Sequence, residues 1–443
     1  MLNFDQVTCT LKSVLGKETG IAVVRGDEDY FERVANYEIS LDVYDQIINY
    51  AQFIGIGDTF KDVIETFKVP QGETPAGFKI VFNLEADAVL KVDLKRDISY
   101  DKNGKKRPTD ILFSVDSANP YEIEPCAALV ANLTCNPGII YDLFINNPKA
   151  NVGGKFKTRD EVMAELGRIL GPGCDISVEL NDPFGASDSE LLEEAQKFEE
   201  MLTKYRVVIK VPHTGPVNKD NVGELLEGDK RLSVSYKAGA TKDYFRAHRL
   251  ALLMHDNNYR VNYTLMFEPY QTNMALQAKP YFINTFVRHR LIQSNKMATL
   301  VAAYKSSKDK NFLKDLRTFM VANDYFSANE TDVDLLTVLE TAEHFVNYRN
   351  FQNPEGSDGL DKLRHDLRML RQCNLEDTRL IICSMEGDSN YPDLDKCLME
   401  EEFSDMLDKV VITAEPGYLA RFTANNQVVS YQRRFMNAAK GQK

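Results

Sequence analysis

From residue 110 onward the chain alternates short, strongly apolar runs with longer charged stretches, as in DISVEL, then SELLEEAQKFEEMLTK, then RVVIKV. That alternation is βαβ texture, strand followed by helix followed by strand. The predicted strands are ILFSVD (111–116), ALVANLT (128–134), CDISVE (174–179), RVVIKV (206–211), RVNYTLMF (260–267), PYFINTF (280–286), RLIICS (379–384) and VVITA (410–414). Eight such runs predict a closed (β/α)8 barrel, an α/β fold. The stretch SELLEEAQKFEEMLTKY sets Leu191, Leu192, Ala195, Phe198 and Leu202 along one side, the pattern of an outer barrel helix. Spacing between the runs is uneven, which predicts insertions at about 218–240 and 293–377, placed over the barrel mouth as lids.

The pattern before residue 108 is different. Leu41 to Phe67 has helical periodicity, and Phe78 to Ile98 alternates apolar and polar positions as strands do. The Asn103-Gly104 pair within DKNGKKRP favours a tight, solvated hairpin turn. The predicted organisation is a small α+β domain over 1–107 with no assigned function, a barrel over 108–430, and a C-terminal tail over 431–443. A barrel needs about 250 residues, so a chain of 443 has room for these additions. No repeat of 20–50 residues and no low-complexity tract is present.

Composition narrows the function classes. A formal net charge of -13 argues against nucleic acid as the main partner, because neutralising phosphates needs concentrated Lys and Arg. The seven cysteines lack CxxC spacing and sit partly inside apolar runs, which fits reduced, buried thiols in a cytoplasmic protein. The sequence has neither a signal-peptide core nor an 18-residue apolar stretch, so no export and no membrane span are expected. The Gly-rich segments KANVGGKFKT and ILGPGCD match neither a P-loop nor a strand-borne GxGxxG, and the histidines form no metal-ligand motif. No metal and no cofactor is predicted.

Chemistry concentrates where the predicted strands end. Asp116, Glu179, Lys210 and Ser384 lie near C-terminal strand ends, and Asn262 and Thr264 lie inside another run, on one face of it because side chains alternate. In a barrel these ends converge on one face. Lys210 stands out, since it is flanked by Val207, Val208, Ile209, Val211 and Pro212 in a run that is to be buried. Burial lowers an amine's pKa and yields the neutral nucleophile that attacks a ketone. A structural lysine paired with Asp116 or Glu179 is the alternative reading.

Several segments, in the same order, resemble the transaldolase and fructose-6-phosphate aldolase family. SVDSAN, LTCNPGII, DISVEL, RVVIKVPHT and YRVNYTLMFEPYQ are similar to that family's first five strands, QAKPYFINTFVRHR to its sixth, and IICSMEG and VVITAEPGYLARF to its last two. The resemblance implies a barrel aldolase in which Lys210 forms the Schiff base, Asp116 serves carbon–carbon cleavage, and Glu179 with Thr264 positions a catalytic water. It places Asn136, Asn262, Asn284 and Ser384 along a sugar site. Arg288 and Arg290 would be the candidates for phosphate, each one position from the family's arginine. Glu386 stands where transaldolases have a further arginine, and Asn284 replaces a serine. The lysine and carboxylates are thus kept better than the phosphate clamp.

Two functions follow. One is a Schiff-base aldolase or ketol (dihydroxyacetone) transferase acting on a small sugar or hydroxyketone, phosphorylated or not, with a homo-oligomer compatible. The other is a catalytically altered barrel that serves binding or assembly through its additions and the VVSYQRRFMNAAKGQK tail.

Overall fold

The computed structural model describes residues 8–101, 104–349, 360–383 and 387–441, with the side chains of 8, 387–392 and 422 left aside. The chain divides into a unit running to Thr109 that also takes in Leu170–Asp175, and a larger unit of Asp110–Ile169 and the chain from Ile176 onward.

The smaller unit is α+β, as its pattern predicts. Strands β1 (Thr8–Thr10) and β3 (Glu38–Ser40) pair antiparallel. Strands β2 (Ala22–Val23), β4 (Phe53–Ile56), β5 (Phe78–Leu84) and β6 (Val89–Arg96) form a sheet in the order β2-β4-β6-β5, with β5 and β6 antiparallel. The periodic stretch Leu41 to Phe67 is not one helix. It is a helix over Leu41–Tyr50, strand β4, and a second helix over Asp58–Phe67. The turn predicted at Asn103-Gly104 falls partly outside the described residues, but Gly104 has φ +68° and Tyr100 bridges antiparallel to Lys106, as a tight turn requires.

The larger unit holds a closed barrel of eight parallel strands: β7 (Leu112–Asp116), β8 (Val130–Cys135), β9 (Asp175–Glu179), β10 (Val207–Pro212), β11 (Arg260–Thr264), β12 (Phe282–Phe286), β13 (Arg379–Cys383) and β14 (Val410–Ala414). Each coincides with a predicted run to within a few residues. Strand β11 stops at Thr264, short of the predicted Phe267, because Leu265 takes φ +64°, a left-handed conformation no strand continues through. β8 and β10 are buried along their whole length, as parallel strands covered by helices must be. The outer helix Asp188–Leu202 starts at a capping box between Ser187 and Glu190 and buries Leu191, Ala195, Phe198 and Leu202.

Inside the barrel a fully buried polar layer lies beneath the strand ends. Asn132 Nδ2 donates to Ser114 Oγ at 2.9 Å, and Ser177 Oγ donates to Asn132 Oδ1 at 3.1 Å. These bonds offset the cost of burying polar side chains and fix the strands below the mouth.

The longer insertion forms helices Val287–Ser307, Asn311–Ala322 and Leu335–Arg349 with a core of their own, in which Met297, Leu313, Leu316, Met320 and Val338 are buried. Leu316→Ala is expected to cost about 2–5 kcal/mol by leaving a cavity there, measured as a lower urea midpoint for this insertion. Arg231 of the shorter insertion ties to it, donating to Asp324 Oδ1 at 2.9 Å and to the Phe326 carbonyl at 2.9 Å. The last helix, Asn426–Ala439, buries no residue and leaves Val428, Val429, Tyr431, Phe435 and Met436 exposed.

Candidate functional site

The C-terminal strand ends surround a cavity of about 450 Å³. Asp116 and Thr134 enter it from β7 and β8, where they are register partners, and Asn136 follows β8. Lys210, Thr264 and Asn284 enter it from β10, β11 and β12, with Phe286 and Arg288 at the edge. Thr413, Glu415, Tyr418 and Arg421 complete the wall on the β14 side, and Cys383 lines it from β13. A volume of this order suits a small ligand.

Lys210 is 7% exposed, and its Nζ lies 3.1 Å from Glu179 Oε2. The pairing follows from register, since Glu179, Lys210 and Asn262 are aligned across β9, β10 and β11. Burial by itself would lower the lysine's pKa, but the negative charges of Glu179 and Asp116 and the hydrogen bond to Glu179 outweigh it, so the pKa lies above the ordinary lysine value. The neutral resting amine expected from burial is therefore replaced by a paired ammonium. Asp116 goes the other way for a carboxyl. Burial pushes it up to about 6, Lys210 opposes the rise, and Glu415 and Glu179 add to it.

The wall also carries buried oxygens that lack a hydrogen-bond partner among the described residues: Asp116 Oδ1, Thr134 Oγ1, Thr264 Oγ1 and Thr413 Oγ1. Unpartnered buried oxygens are costly in a core and useful where a hydroxylated ligand or water completes them. Burial also raises the Cys383 thiol's pKa well above its usual value, which keeps it protonated and a poor nucleophile.

The expected site residues divide accordingly. Asp116, Asn136, Lys210, Thr264, Asn284 and Arg288 line the cavity. Glu179 reaches it through Lys210. Asn262 departs from its expected place at the sugar. It is fully buried behind the wall, and its Oδ1 accepts from Asn284 Nδ2. Arg290 departs further. It is 2% exposed, donates from Nε to Glu268 Oε2 at 3.1 Å and pairs with Asp361, lining a different cavity. Ser384 and Glu386 lie outside the described residues. The insertions expected as lids contribute no residue to this wall among the described residues.

Thr134, Thr413, Glu415 and Arg421 line the cavity without having been marked in the sequence. A signal existed for the threonines, which sit near the ends of runs already assigned as strands. Arg421 gave none, because it comes from the turn beyond the short helix Pro416–Ala420. Among the described residues, no group of three or more His, Cys, Asp or Glu side chains could hold a metal ion, and no helix is long and apolar enough to cross a membrane.

No protein-family model matches the chain, and no curated protein does. Among solved structures, one from Pediococcus acidilactici provisionally described as a lactate oxidase, in its refolded wild-type form, aligns over 81% of this chain and 74% of that one at 11% identity and a TM-score of 0.30. The strand order defines the fold: this chain forms an α/β barrel of eight parallel strands with added N-terminal and helical segments.

Proposed function

We propose that the protein is a Schiff-base aldolase or ketol transferase of transaldolase type, acting on a small ketose or hydroxyketone. The observation that carries this reading is a buried lysine at a barrel strand end, paired to one carboxylate and facing a second whose pKa is raised to about 6, in a cavity edged with unpartnered oxygens. Glu179 accepts the ammonium proton of Lys210 as the substrate carbonyl arrives, and the freed amine adds to the carbonyl carbon. Loss of water gives an iminium. Asp116 then takes the proton of the hydroxyl on the carbon β to the imine carbon, the adjacent C–C bond breaks, and its electron pair neutralises the iminium as an enamine while an aldehyde leaves. Addition of the enamine to another aldehyde is transfer. Protonation of the enamine and hydrolysis of the imine, by a water held between Glu179 and Thr264, is plain cleavage.

The test is mass spectrometry after borohydride treatment with dihydroxyacetone, fructose 6-phosphate and unphosphorylated ketoses, with Lys210→Ala as control. A reduced adduct on Lys210 supports the reading. Its absence with every ketose, in folded protein, moves the assignment to binding or assembly, for which the exposed apolar side chains of helix Asn426–Ala439 are the favouring observation.

Arg288 and Arg421 stand at the mouth as candidates for an anionic end of the substrate. Arg421→Ala is expected to raise KM for a phosphorylated ketose by about tenfold or more, the value of one charge-assisted contact, with little change for the unphosphorylated sugar. Steady-state kinetics on the matched pair of substrates checks it.

A further inference from the structure

A second cavity of about 430 Å³ lies beside the first, walled by the two insertions and the loops after β10 and β11. The rings of Phe267 and Phe286, 4.6 Å apart between centroids, separate the two spaces, since Phe267 lines the second and Phe286 the first. Nothing in the imine chemistry proposed above uses this second space.

Its walls are chemically unlike the first. Tyr236, Phe267, Tyr270, Tyr325 and Phe345 give it ring surfaces, two of them well exposed to an incoming ligand: Tyr236 at 37% and Tyr270 at 67%. The planar amides of Gln271, Gln293 and Asn323 stand among the rings with hydrogen bonds made within the chain: Gln271 Oε1 accepts from the Phe267 and Glu268 amides, Gln293 Oε1 accepts from the Tyr325 hydroxyl, and Asn323 Nδ2 donates to the Phe319 carbonyl. His213 lines it with a buried Nε2 that has no hydrogen-bond partner among the described residues.

The charged groups on the wall are paired within the chain. Glu268 holds Arg290 at 3.1 Å and Arg349 at 2.7 Å, Arg290 also pairs with Asp361, and Asp324 pairs with Arg231. An ionic ligand would meet no unpaired counter-charge among these groups. A purely apolar one would leave His213 Nε2 dry and unsatisfied. A neutral molecule with a flat ring face and a hydrogen-bonding edge satisfies both surfaces at once.

We propose that this second cavity is a binding site for such a molecule, the base of a nucleoside lying between the rings with its edge toward His213. Free sugars share the hydroxyl chemistry but offer no aromatic face. The number of rings on the wall decides for the planar base.

Isothermal titration calorimetry of the full chain with adenosine, guanosine, cytidine and uridine, beside ribose and glucose, tests it. Saturable binding of at least one nucleoside, and none of the free sugars, is expected at Kd values of about millimolar or tighter. Tyr236→Ala and Tyr270→Ala remove rings at the exposed rim without opening the core, and each is expected to weaken binding about tenfold, the value of one stacked ring. Tyr270→Phe keeps the ring and is expected to keep the affinity. Lys210→Met must leave binding unchanged, which separates this site from the first cavity and from the aldolase reading. No nucleoside binding up to about 10 mM, binding by sugars alone, or binding indifferent to both tyrosine variants overturns the proposal.

Discussion

Lys210→Met is expected to abolish the borohydride-reducible adduct and to lower ketose turnover on the order of 10⁴-fold or more, as deleting a covalent nucleophile does. The same change has a second effect that a merely inert lysine would share. It removes the cation paired with Glu179 at 3.1 Å and facing Asp116, leaving buried carboxylates uncompensated. Breaking a buried pair costs about 3 kcal/mol or more when the remaining charge stays dry. Because the Lys210 pKa is raised in the folded protein, its stabilisation is fully present below the unfolded value near about pH 10 and is lost only above it. The destabilisation of Lys210→Met is therefore present at pH 7–8 and shrinks toward acid pH as the carboxylates protonate. Lys210→Arg separates the effects: it keeps a positive charge near Glu179 yet forms no imine. Thermal unfolding at two pH values, beside the trapping assay, checks both. An adduct that persists in Lys210→Met would place the nucleophile elsewhere.

The barrel was legible because parallel strands packed on both faces are written as uninterrupted apolar runs, and a lysine inside such a run is conspicuous. What the sequence could not supply is distance. It carries the burial of Lys210, which lowers the pKa, but not the register that sets Glu179 against it and reverses the sign. The arginines after β12 show the same limit. Residues two apart on a helix point about 200° from one another, so with the helix beginning at Val287, Arg288 turns to the first cavity and Arg290 into the buried cluster with Glu268. A shift of two residues in that helix start would have put Arg290 where Arg288 stands, and helix starts are what periodicity defines least well. The stretch Leu41 to Phe67 departs from its helical periodicity for a related reason. FIGI is apolar and short, and such a segment fits either a helix or a strand until its partners, here Ala22–Val23 and β6, are known.

Asp116→Asn is expected to lower kcat about 10²–10⁴-fold, the usual worth of a positioned acid or base, while making the protein more stable at neutral pH. The two effects have one origin. Burial, with Glu415 and Glu179 adding, raises the carboxyl to about 6 in the folded chain, whereas an unfolded aspartate titrates near about 3.9. The folded state thus binds the proton more tightly, and the aspartate's contribution to stability is fully present below about pH 4 and is lost as pH rises through about 6. Asparagine carries no charge, so it escapes that loss: the variant and the parent should unfold alike near pH 4, and the variant should be the more stable above pH 6. Activity has the opposite slope. A carboxylate that must take the substrate's hydroxyl proton works only when ionised, so kcat of the parent should fall on the acid side with an apparent pKa near 6. That limb should be missing from the residual activity of Asp116→Asn. A variant that loses activity and keeps the acid limb would assign the limb to another group and leave Asp116 a structural role.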